Sequence, residues 1–514
     1  MYYSIHHLPL MHTLTIVRIS PQKHIFNEFC EFKMKHVRIE MGTKRGFNVK
    51  VIKTEVVAAS LPMQEHWLPQ SNLDLLLPPM DVGVFFCYQN PIISGMPKYS
   101  FGSMVKVLKV SLAETLVSYY AFAGELVQNL AGEPEILCNN AGVNFTEAWA
   151  DIELKEINLY NPDESIEGKL VPKKNHGVLA VQATQLKCGG IVVACTFDHR
   201  VADAYSTNMF LVSWAEIAQS KPLSQLPSFR RSFLSPRRPS HYDPLVIDSM
   251  YIPISALKQE TRAVTNIDDD EQVISRIYYV KAEEISRLQS LANNCNNDMI
   301  STKFHRFTKL ETFSAFLWKT IANGMGENST RNYENFRFGI VVNGRSRLSD
   351  GVEEQAKVLK GYFGNVLSTP FGEKKVEKLK EKPLSWVANA VHEFLEPAKT
   401  KEHFLGLINW VEDHRPEPAL ARIYATNEDA VAVVVSSGQQ FPVGKIEFGW
   451  GEPVFGSYHF PWEGKAGYVM PMPSPKGNGD WVVYMHMLKW QLELVDASAA
   501  NMFKPLTADY LNLK

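Results

Sequence analysis

Apolar residues recur along this chain with two spacings, one typical of strands and one typical of helices. The segments Val49–Val57, Leu179–Leu186 and 191–196 are short and rich in β-branched residues, which predicts buried or half-buried strands. Segments 105–122 and 207–218 carry apolar residues at every third or fourth position, which predicts helices that pack on a sheet. The first half of the chain is therefore predicted to be a mixed α/β domain.

The second half of the chain repeats this mixture of patterns. Thr308 is followed three residues later by Glu311, a spacing that predicts a capping box at the start of a helix. The segment 61–69 is predicted to be a proline-containing loop and 491–513 a terminal helix. Further strands are predicted at 272–280, 336–343, 431–437 and 481–488. At 514 residues the chain exceeds what one hydrophobic core usually serves, so we expect two domains.

A stretch that resists regular structure separates the two halves. Residues 226–239 contain three prolines and four arginines, and the mostly acidic segment 266–271 follows. This pattern predicts a crossover linker over 226–271, between an N-terminal domain at 45–225 and a C-terminal domain at 272–514.

The first forty residues differ from the rest, with several His and Lys residues and only a weak apolar patch. Because a Met-Gly-Thr-Lys start follows at Met41, we predict a disordered extension over residues 1–40. A transit peptide is the alternative, which Glu28 and Glu31 disfavour.

Composition excludes several classes of protein. The formal net charge of −2 argues against a nucleic-acid binder, for which a basic surface is expected. The six cysteines are dispersed without a CxxC pair, so we expect no zinc or other metal site, no disulfide framework and a reducing, cytoplasmic location. No run of about 18 apolar residues is present, so we expect no membrane span.

Candidate chemistry begins at His199, which directly follows the buried strand at 191–196 and precedes Asp203 by four residues. An unperturbed histidine titrates near pH 6.5, so its largely neutral ring can act as a general base. A lone His near an Asp is more often structural than catalytic. Cys195 lies in the same apolar run, where a thiol is usually inert core.

A second unusual stretch lies near the C-terminus, at residues 445–453. Gly449 and Gly451 flank Trp450, which predicts a strained loop in which the backbone takes positive φ angles. The alternative is a tight turn that only packs a tryptophan.

Together, these HxxxD and FGWG motifs resemble the paired motifs of the plant BAHD acyltransferases, and the resemblance extends from about Val49 to the end of the chain. Four positions depart from the family pattern: Asp198, Ala204, Glu447 and Gly344. None of them removes the histidine. Further stretches match the family at 71–75, 116–124, 343–347 and 361–365.

The resemblance implies two similarly folded domains of the chloramphenicol acetyltransferase type. Each is a mixed sheet with flanking helices, and a solvent channel runs between them. It further implies a monomer that binds an acyl-coenzyme A co-substrate and no permanent cofactor. The acyl group passes directly to an alcohol or amine, with His199 as the general base.

Supporting roles also follow from the resemblance. Asp203 is expected to turn away from the site and pair with Arg345, and Trp450 to shape the pocket wall. The resemblance also implies that the carboxylate of Glu447 lies far from the reacting groups. Four linker arginines are candidates for contacts to the phosphates of coenzyme A: Arg230, Arg231, Arg237 and Arg238.

The substrate expectation rests on two positions of the segment 436–442. Family members that acylate shikimate or quinate carry a tryptophan and a carboxylate-binding arginine where this chain has Gly438 and Gln440. A neutral amide cannot replace a guanidinium on a carboxylate, so we expect an uncharged acceptor and a roomier pocket.

Three further stretches, at 61–69, 138–143 and 197–206, resemble family members that acylate coniferyl alcohol. The leading hypothesis is therefore transfer of an acyl group, acetyl first, to a neutral phenylpropanoid alcohol such as coniferyl alcohol. A hydroxycinnamoyl transferase, of the shikimate or quinate type or with another alcohol acceptor, is the alternative. A second alternative is a ligand-binding relative without catalysis, in which Asp198 beside the base keeps the imidazole protonated.

Overall fold

The structure is a computed structural model of the chain. It describes residues 46–513 except 94, 257–271, 295–305, 326–332, 350, 426–429 and 463. The predicted extension at 1–40 and the second part of the predicted linker, from residue 257, lie outside the described residues.

Strands form most of the scaffold. In the described residues they are β1 (Val49–Val57), β2 (His66–Pro69), β3 (Asp81–Tyr88), β4 (Ile92–Ile93), β5 (Met96–Pro97), β6 (Glu125–Gln128), β7 (Pro134–Cys138), β8 (Val143–Ala150), β9 (Leu179–Leu186), β10 (Ile191–Asp198), β11 (Tyr251–Pro253), β12 (Val273–Val280), β13 (Asn335–Asn343), β14 (Leu367–Ser368), β15 (Phe371–Lys375), β16 (Ala419–Ala421), β17 (Ala430–Ser436), β18 (Phe455–His459), β19 (Gly467–Pro473), β20 (Trp481–Leu488) and β21 (Lys504–Pro505).

Helices flank these strands. They are α1 (Phe101–Ser118), α2 (Pro162–Ser165), α3 (Ala204–Ala218), α4 (Pro244–Met250), α5 (Ala282–Asn294), α6 (Lys309–Gly324), α7 (Arg345–Leu348), α8 (Glu353–Gly361), α9 (Val376–Glu381), α10 (Leu384–Leu395), α11 (Lys401–His414) and α12 (Lys489–Ser498). The predicted capping box is present at α6, where Thr308 Oγ1 accepts from Glu311 N and Thr308 N donates to Glu311 Oε2.

The first sheet has six strands in the order β1-β8-β9-β10-β3-β18. Strand β10 lies in its interior and pairs antiparallel with both β9 and β3. Every residue of β10 is buried, which explains why its sequence is a continuous run rather than an alternation of apolar and polar residues. This strand delivers the residue that follows it, His199, from a fixed position.

The second sheet has the order β14-β13-β17-β19-β20-β12-β21, and β15 also pairs with β13. Strands β13, β17 and β19 run parallel, whereas β19, β20 and β12 pair antiparallel. The predicted α/β class, mixed sheets with flanking helices, is confirmed. The division of the chain at 226–271 stays a prediction.

One strand crosses between the two halves of the chain. Strand β18 comes from the second half, yet it pairs with β3 and completes the first sheet. The sequence did not predict this strand, although its Phe-Gly-Ser-Tyr-His run is rich in aromatic residues. Because β18 joins the first sheet directly after the FGWG loop, residues from both halves surround the same space.

Two predicted elements were wrong. Part of the expected loop at 61–69 is strand β2, which pairs with β7. The expected terminal helix ends at Ser498, and the chain then returns to the second sheet as β21 beside β12. In both cases tertiary pairing outweighs the local pattern, since backbone groups at a sheet edge gain hydrogen bonds there.

A buried histidine outside the site leads to a prediction about acid stability. Burial lowers the pKa of His403 to about 4, and its Nε2 lies 2.8 Å from Ser368 Oγ. In the unfolded chain His403 binds a proton below about pH 6.5, whereas in the folded chain it binds that proton only below about pH 4. The stability that this neutral ring contributes is complete above pH 6.5 and falls by about 3 kcal/mol as the pH drops to 4.

We therefore expect His403→Gln to lose less stability than the wild type between pH 7 and pH 4. The measurement is the free energy of unfolding in urea at both pH values. Identical pH dependence in the two proteins would show that the ring does not titrate as described.

Candidate active site

Backbone contacts on both sides hold His199 at the end of β10. Its amide nitrogen donates to Met80 O at 2.9 Å, and its carbonyl oxygen accepts from Asn365 Nδ2 at 2.9 Å. Asn365 is itself fixed by Asp74, whose Oδ1 accepts from the Asn365 amide nitrogen at 2.7 Å and from Nδ2 at 2.9 Å. The family-like stretches at 71–75 and 361–365 thus act together as a clamp on the histidine backbone.

The imidazole of His199 is half-buried and lines a cavity of about 540 Å³. Its Nδ1 is buried and has no hydrogen-bond partner among the described residues. The ring lies edge-on to Phe460, with 6.3 Å between ring centroids. Since Nδ1 is sealed from the cavity, Nε2 is the nitrogen that can meet a substrate.

Residues from both halves of the chain line this cavity, and they are mostly apolar. Among the described residues, none of the lining side chains is Asp, Glu, Lys or Arg. Nine of the lining side chains are aromatic: Phe197, Tyr205, Tyr251, Tyr424, Phe441, Tyr458, Phe460, Trp462 and Tyr468. The cavity therefore suits an uncharged, aromatic or aliphatic ligand.

Asp203 does not line the cavity in the described residues, because its carboxylate faces the protein interior. Arg345 Nη1 donates to Asp203 Oδ2 at 2.7 Å and Nη2 donates to Oδ1 at 3.1 Å, which is the pair that the sequence predicted. Asp203 Oδ1 also accepts from Ser206 N at 2.8 Å as the N-cap of α3. The side chains are only 1% and 5% exposed, so this is a buried ion pair.

Arg345 has further partners that fill its donor capacity. It donates to the carbonyl oxygens of Tyr362 and Gly364, and its guanidinium carbon lies 4.4 Å from the ring centroid of Tyr205. The pair therefore joins α3 to the 361–365 segment that holds His199. This geometry is consistent with the structural role expected of Asp203, which stays a prediction.

Asp198, which replaces a frequent family histidine, is turned toward Arg200. Arg200 Nε donates to Asp198 Oδ1 at 2.9 Å and Nη2 donates to Oδ2 at 2.7 Å. Lys174 Nζ lies 3.9 Å from Asp198 Oδ2. Arg200 and Lys174 thus neutralise the extra carboxylate. Asp198 is not among the described residues that line the cavity.

This pairing leads to a prediction about the pH dependence of the activity expected at His199. Arg200→Leu removes both guanidinium contacts and leaves Asp198 with the backbone amide of residue 200 and Lys174 at 3.9 Å. A less compensated carboxylate beside the histidine favours the protonated imidazole. We expect the acid limb of the kcat/KM profile to move upward, by up to about one pH unit. The double variant Asp198→Asn/Arg200→Leu is expected to restore the wild-type profile. An unmoved limb in the single variant would contradict the argument.

The FGWG loop is organised by Glu447. Its Oε1 accepts from Gly449 N at 2.6 Å and from Gly451 N at 3.0 Å. Gly449 and Gly451 have φ angles of +108° and +113°, a region that L side chains rarely adopt. The predicted positive φ angles are present. Glu447 closes the loop through these two amide contacts, and it is not among the described residues that line the cavity.

Trp450 does not form the pocket wall, which corrects the sequence expectation. It is not among the described residues that line the cavity, and it packs against Tyr88 and Phe448. The ring centroids lie 6.0 Å and 5.6 Å away respectively. The tryptophan therefore anchors the loop against Tyr88 of the first sheet.

The four linker arginines divide into two groups. Arg231 is largely buried, and it donates to Pro69 O, Phe363 O and the hydroxyl of Tyr362. It is therefore committed inside the protein, which argues against the phosphate contact expected from the sequence.

Arg237 donates to Glu402 Oε2 at 2.6 Å and His241 O at 2.7 Å, and so ties the linker to α11. Arg230 and Arg238 are exposed and stay candidates for phosphate contacts.

Gly438 and Gln440 both line the cavity. A Cβ atom on Gly438 would lie 2.6 Å from Met472 Cγ and 3.0 Å from Pro471 O. The backbone approaches β19 at this position, so the extra room expected from the missing indole is partly filled. Gln440 is exposed at the edge of the cavity.

Cys195 is inert core, as its position in an apolar run predicted. It is buried in β10, and burial raises the pKa of its thiol. Among the described residues, no group of three His, Cys, Asp or Glu side chains is arranged to hold a metal ion. No described helix is long and apolar enough to cross a membrane.

The sequence missed the residues that β18 brings to the site. Tyr458 and Phe460 line the cavity, and Tyr458 reaches Asn208 on α3. Alternating aromatic residues after the FGWG loop were the available signal for a strand. The sequence pattern does not reveal that this strand joins the first sheet.

Comparison with known proteins agrees with this fold. A model of the transferase family matches residues 47–502. Since the match covers most of the chain, the protein belongs to the transferase family, the BAHD acyltransferases. It is thus an acyl-coenzyme A-dependent acyltransferase.

Three relatives indicate the range of the family. The chain is 26% identical over 432 residues to a shikimate O-hydroxycinnamoyltransferase of Nicotiana tabacum, covering 82% of this chain and 92% of the relative. It is 27% identical to a (Z)-3-hexen-1-ol acetyltransferase of Arabidopsis thaliana, covering 87% and 94%. A benzyl alcohol O-benzoyltransferase of Petunia hybrida is 26% identical, with 85% and 90% covered.

Solved structures share the fold at lower identity. Vinorine synthase superposes with a TM-score of 0.63 at 19% identity, covering 89% of this chain and 99% of its own. TRI101 of F. graminearum, in complex with coenzyme A and T-2 mycotoxin, gives a TM-score of 0.64 at 12% identity, covering 84% and 97%.

Proposed function

We propose that this enzyme transfers an acyl group, acetyl first, from coenzyme A to the hydroxyl of an uncharged phenylpropanoid alcohol such as coniferyl alcohol. The observation that carries the proposal is the charge-free, aromatic lining of the His199 cavity. An acceptor carboxylate buried there would have no cation from the described lining residues to compensate its lost hydration. Two of the relatives are named for the uncharged alcohols (Z)-3-hexen-1-ol and benzyl alcohol, which supports this reading.

The proposed chemistry needs one base. His199 Nε2 accepts the hydroxyl proton of the alcohol as its oxygen attacks the thioester carbonyl, and a carbon–oxygen bond forms. The tetrahedral intermediate then collapses, the carbon–sulfur bond breaks, and the imidazolium returns the proton to the thiolate. The products are the ester and free coenzyme A, with no covalent enzyme intermediate. General-base catalysis of this kind contributes about 10²–10⁴ in rate.

Positioning supplies a further part of the rate. The clamp on the His199 backbone fixes the base, and the aromatic cavity orients the alcohol toward Nε2. Holding both reactants together converts a bimolecular step into an effectively unimolecular one. Arg230 and Arg238, the exposed linker arginines, are proposed to contact coenzyme A phosphates.

Transfer of a hydroxycinnamoyl group is the second candidate. The nine aromatic lining side chains that favour an aromatic alcohol would equally favour an aromatic acyl chain, and one relative is named for hydroxycinnamoyl transfer to shikimate. Gln440 bears on the acceptor and says little about the donor. Shikimate itself is disfavoured, because it carries a carboxylate.

A binding protein without catalysis is less consistent with the geometry. That reading required Asp198 to act on the imidazole. Its carboxylate is instead engaged by both Arg200 contacts.

The test is thiol release with acetyl-, malonyl- and coumaroyl-coenzyme A, each against coniferyl alcohol, shikimate and a fatty alcohol. We expect the highest kcat/KM with coniferyl alcohol and very little transfer to shikimate. Gln440→Arg, which adds the missing cation at the cavity edge, is expected to improve shikimate relative to coniferyl alcohol. Wild-type transfer to shikimate at a rate comparable to coniferyl alcohol would contradict the proposal.

A further inference from the structure

Asn208 presents an unused polar group to the same cavity as His199. It lies on α3, and its side chain is among the lining residues. The hydroxyl of Tyr458 donates to Asn208 Oδ1 at 2.9 Å and also approaches Ala204 O at 3.3 Å. Because Oδ1 is engaged by Tyr458, the amide is oriented with its Nδ2 donors toward the cavity.

Three other polar groups that line the cavity have partners within the protein. Tyr251 Oη donates to Ser368 Oγ at 3.1 Å, and Tyr205 Oη donates to Lys360 O at 3.0 Å. Gln439 Nε2 donates to Pro471 O at 3.2 Å. By contrast, Nδ2 of Asn208 has no partner in the described part of the chain. A ligand that covers this donor without accepting a hydrogen bond from it would leave the donor unsatisfied, which weakens binding of that ligand.

The position of Asn208 relative to the base follows from strand β18. Tyr458, which holds Asn208, and Phe460, which contacts His199, are two residues apart along the chain. Strand geometry separates such residues by roughly 7 Å. Asn208 and His199 thus line one cavity beside neighbouring residues of the same segment, so a single ligand can meet both side chains.

We propose that Asn208 selects substrates that carry an oxygen on an aromatic ring, by donating a hydrogen bond from Nδ2 to that hydroxyl or methoxyl group. The inference rests on the proposed function, since it assumes a substrate whose reacting oxygen or carbonyl lies at His199. The recognised oxygen can belong to the alcohol or to an aromatic acyl chain, because the hydrogen-bond chemistry is the same.

The experiment compares wild type with Asn208→Leu on two pairs of substrates. Coniferyl and cinnamyl alcohol, each with acetyl-coenzyme A, differ in ring oxygens on the acceptor. Coumaroyl- and cinnamoyl-coenzyme A, each with cinnamyl alcohol, differ in a ring oxygen on the donor. We expect the kcat/KM ratio of oxygenated to plain substrate to fall about tenfold in one pair, which also identifies the substrate that carries the oxygen.

Two further variants separate recognition from damage to the fold. Tyr458→Phe releases the amide from its fixed orientation and is expected to lower the same ratio by a smaller factor. Ser213→Ala, on the same helix but bonded to Tyr119 in the core, is expected to keep the ratio.

Two results would overturn the inference. One is an active Asn208→Leu enzyme whose ratios change less than twofold, and the other is an equal loss on plain and oxygenated substrates. Both leave the proposed function intact. A wild-type enzyme that transfers to neither alcohol, with any of the donors, would instead overturn the proposed function and this inference together.

Discussion

Replacement of His199 by alanine is expected to lower kcat by about 10²–10⁴, with little change in the free energy of unfolding. The loss follows because His199 is the one basic side chain among the described residues that line the cavity. Stability is expected to change little, since Nδ1 has no hydrogen-bond partner in the described part of the chain and the backbone clamp does not involve the ring. The measurement is thiol release at saturating acetyl-coenzyme A and coniferyl alcohol.

A second histidine provides the matched control for this experiment. His176 is exposed and is not among the described residues that line the cavity, so His176→Ala should keep wild-type kcat. If His199→Ala kept more than a tenth of the wild-type kcat, the assignment of the general base would be wrong.

Removal of one charge from the Asp203–Arg345 pair is expected to cause the largest loss of stability. Asp203→Asn keeps an acceptor for Ser206 N but leaves Arg345 buried without its counter-charge. Breaking a buried ion pair in this way typically costs about 3–5 kcal/mol. We expect a loss of about that size in urea unfolding, and an unchanged pH profile for the molecules that remain folded.

The double variant Asp203→Leu/Arg345→Met tests whether the pair acts as a unit. Because the double variant removes both charges, its loss of stability is expected to be smaller than the summed losses of Asp203→Leu and Arg345→Met measured singly. If Asp203→Asn shifted the pH profile while leaving stability intact, Asp203 would be part of the catalytic apparatus, contrary to the geometry.

The sequence predicted several strands at their observed positions, although β1 is mostly exposed rather than buried or half-buried. The bounds of β1, β9 and β20 agree with the predicted segments. Strand β10 begins where predicted and continues beyond the predicted end at residue 196, to Asp198. In β10 both faces are buried, so apolar residues fill every position and the pattern is unambiguous. The Asp203–Arg345 pair was found through the family resemblance, since 142 residues separate its members and no local pattern links them.

Other features could not be predicted because they depend on tertiary approach. The location of β18 in the first sheet brings Tyr458 and Phe460 to His199, and no local pattern specifies that partner strand. The same holds for Arg231, which the sequence analysis named as a candidate for phosphate contacts but which donates to Tyr362 and Phe363. Close packing of Gly438 on Met472 is likewise a property of the fold.

The departures from the family pattern show how local compensation works. Asp198 introduces a charge beside the base, and Arg200, two residues later, neutralises it with two hydrogen bonds. Glu447 is one methylene longer than the usual aspartate, yet its Oε1 still reaches both glycine amides. In each case the substituted side chain finds its partners within a few residues, so the histidine keeps its surroundings.

The central claim is that a single imidazole passes the acyl group directly to an alcohol within this cavity. Rapid-mixing measurement of thiol release, with and without coniferyl alcohol, tests it most directly, together with the intact mass of the protein after exposure to acetyl-coenzyme A alone. Direct transfer predicts no burst of thiol without the alcohol and no gain of mass by the protein. A stoichiometric burst together with one added acetyl group would contradict it.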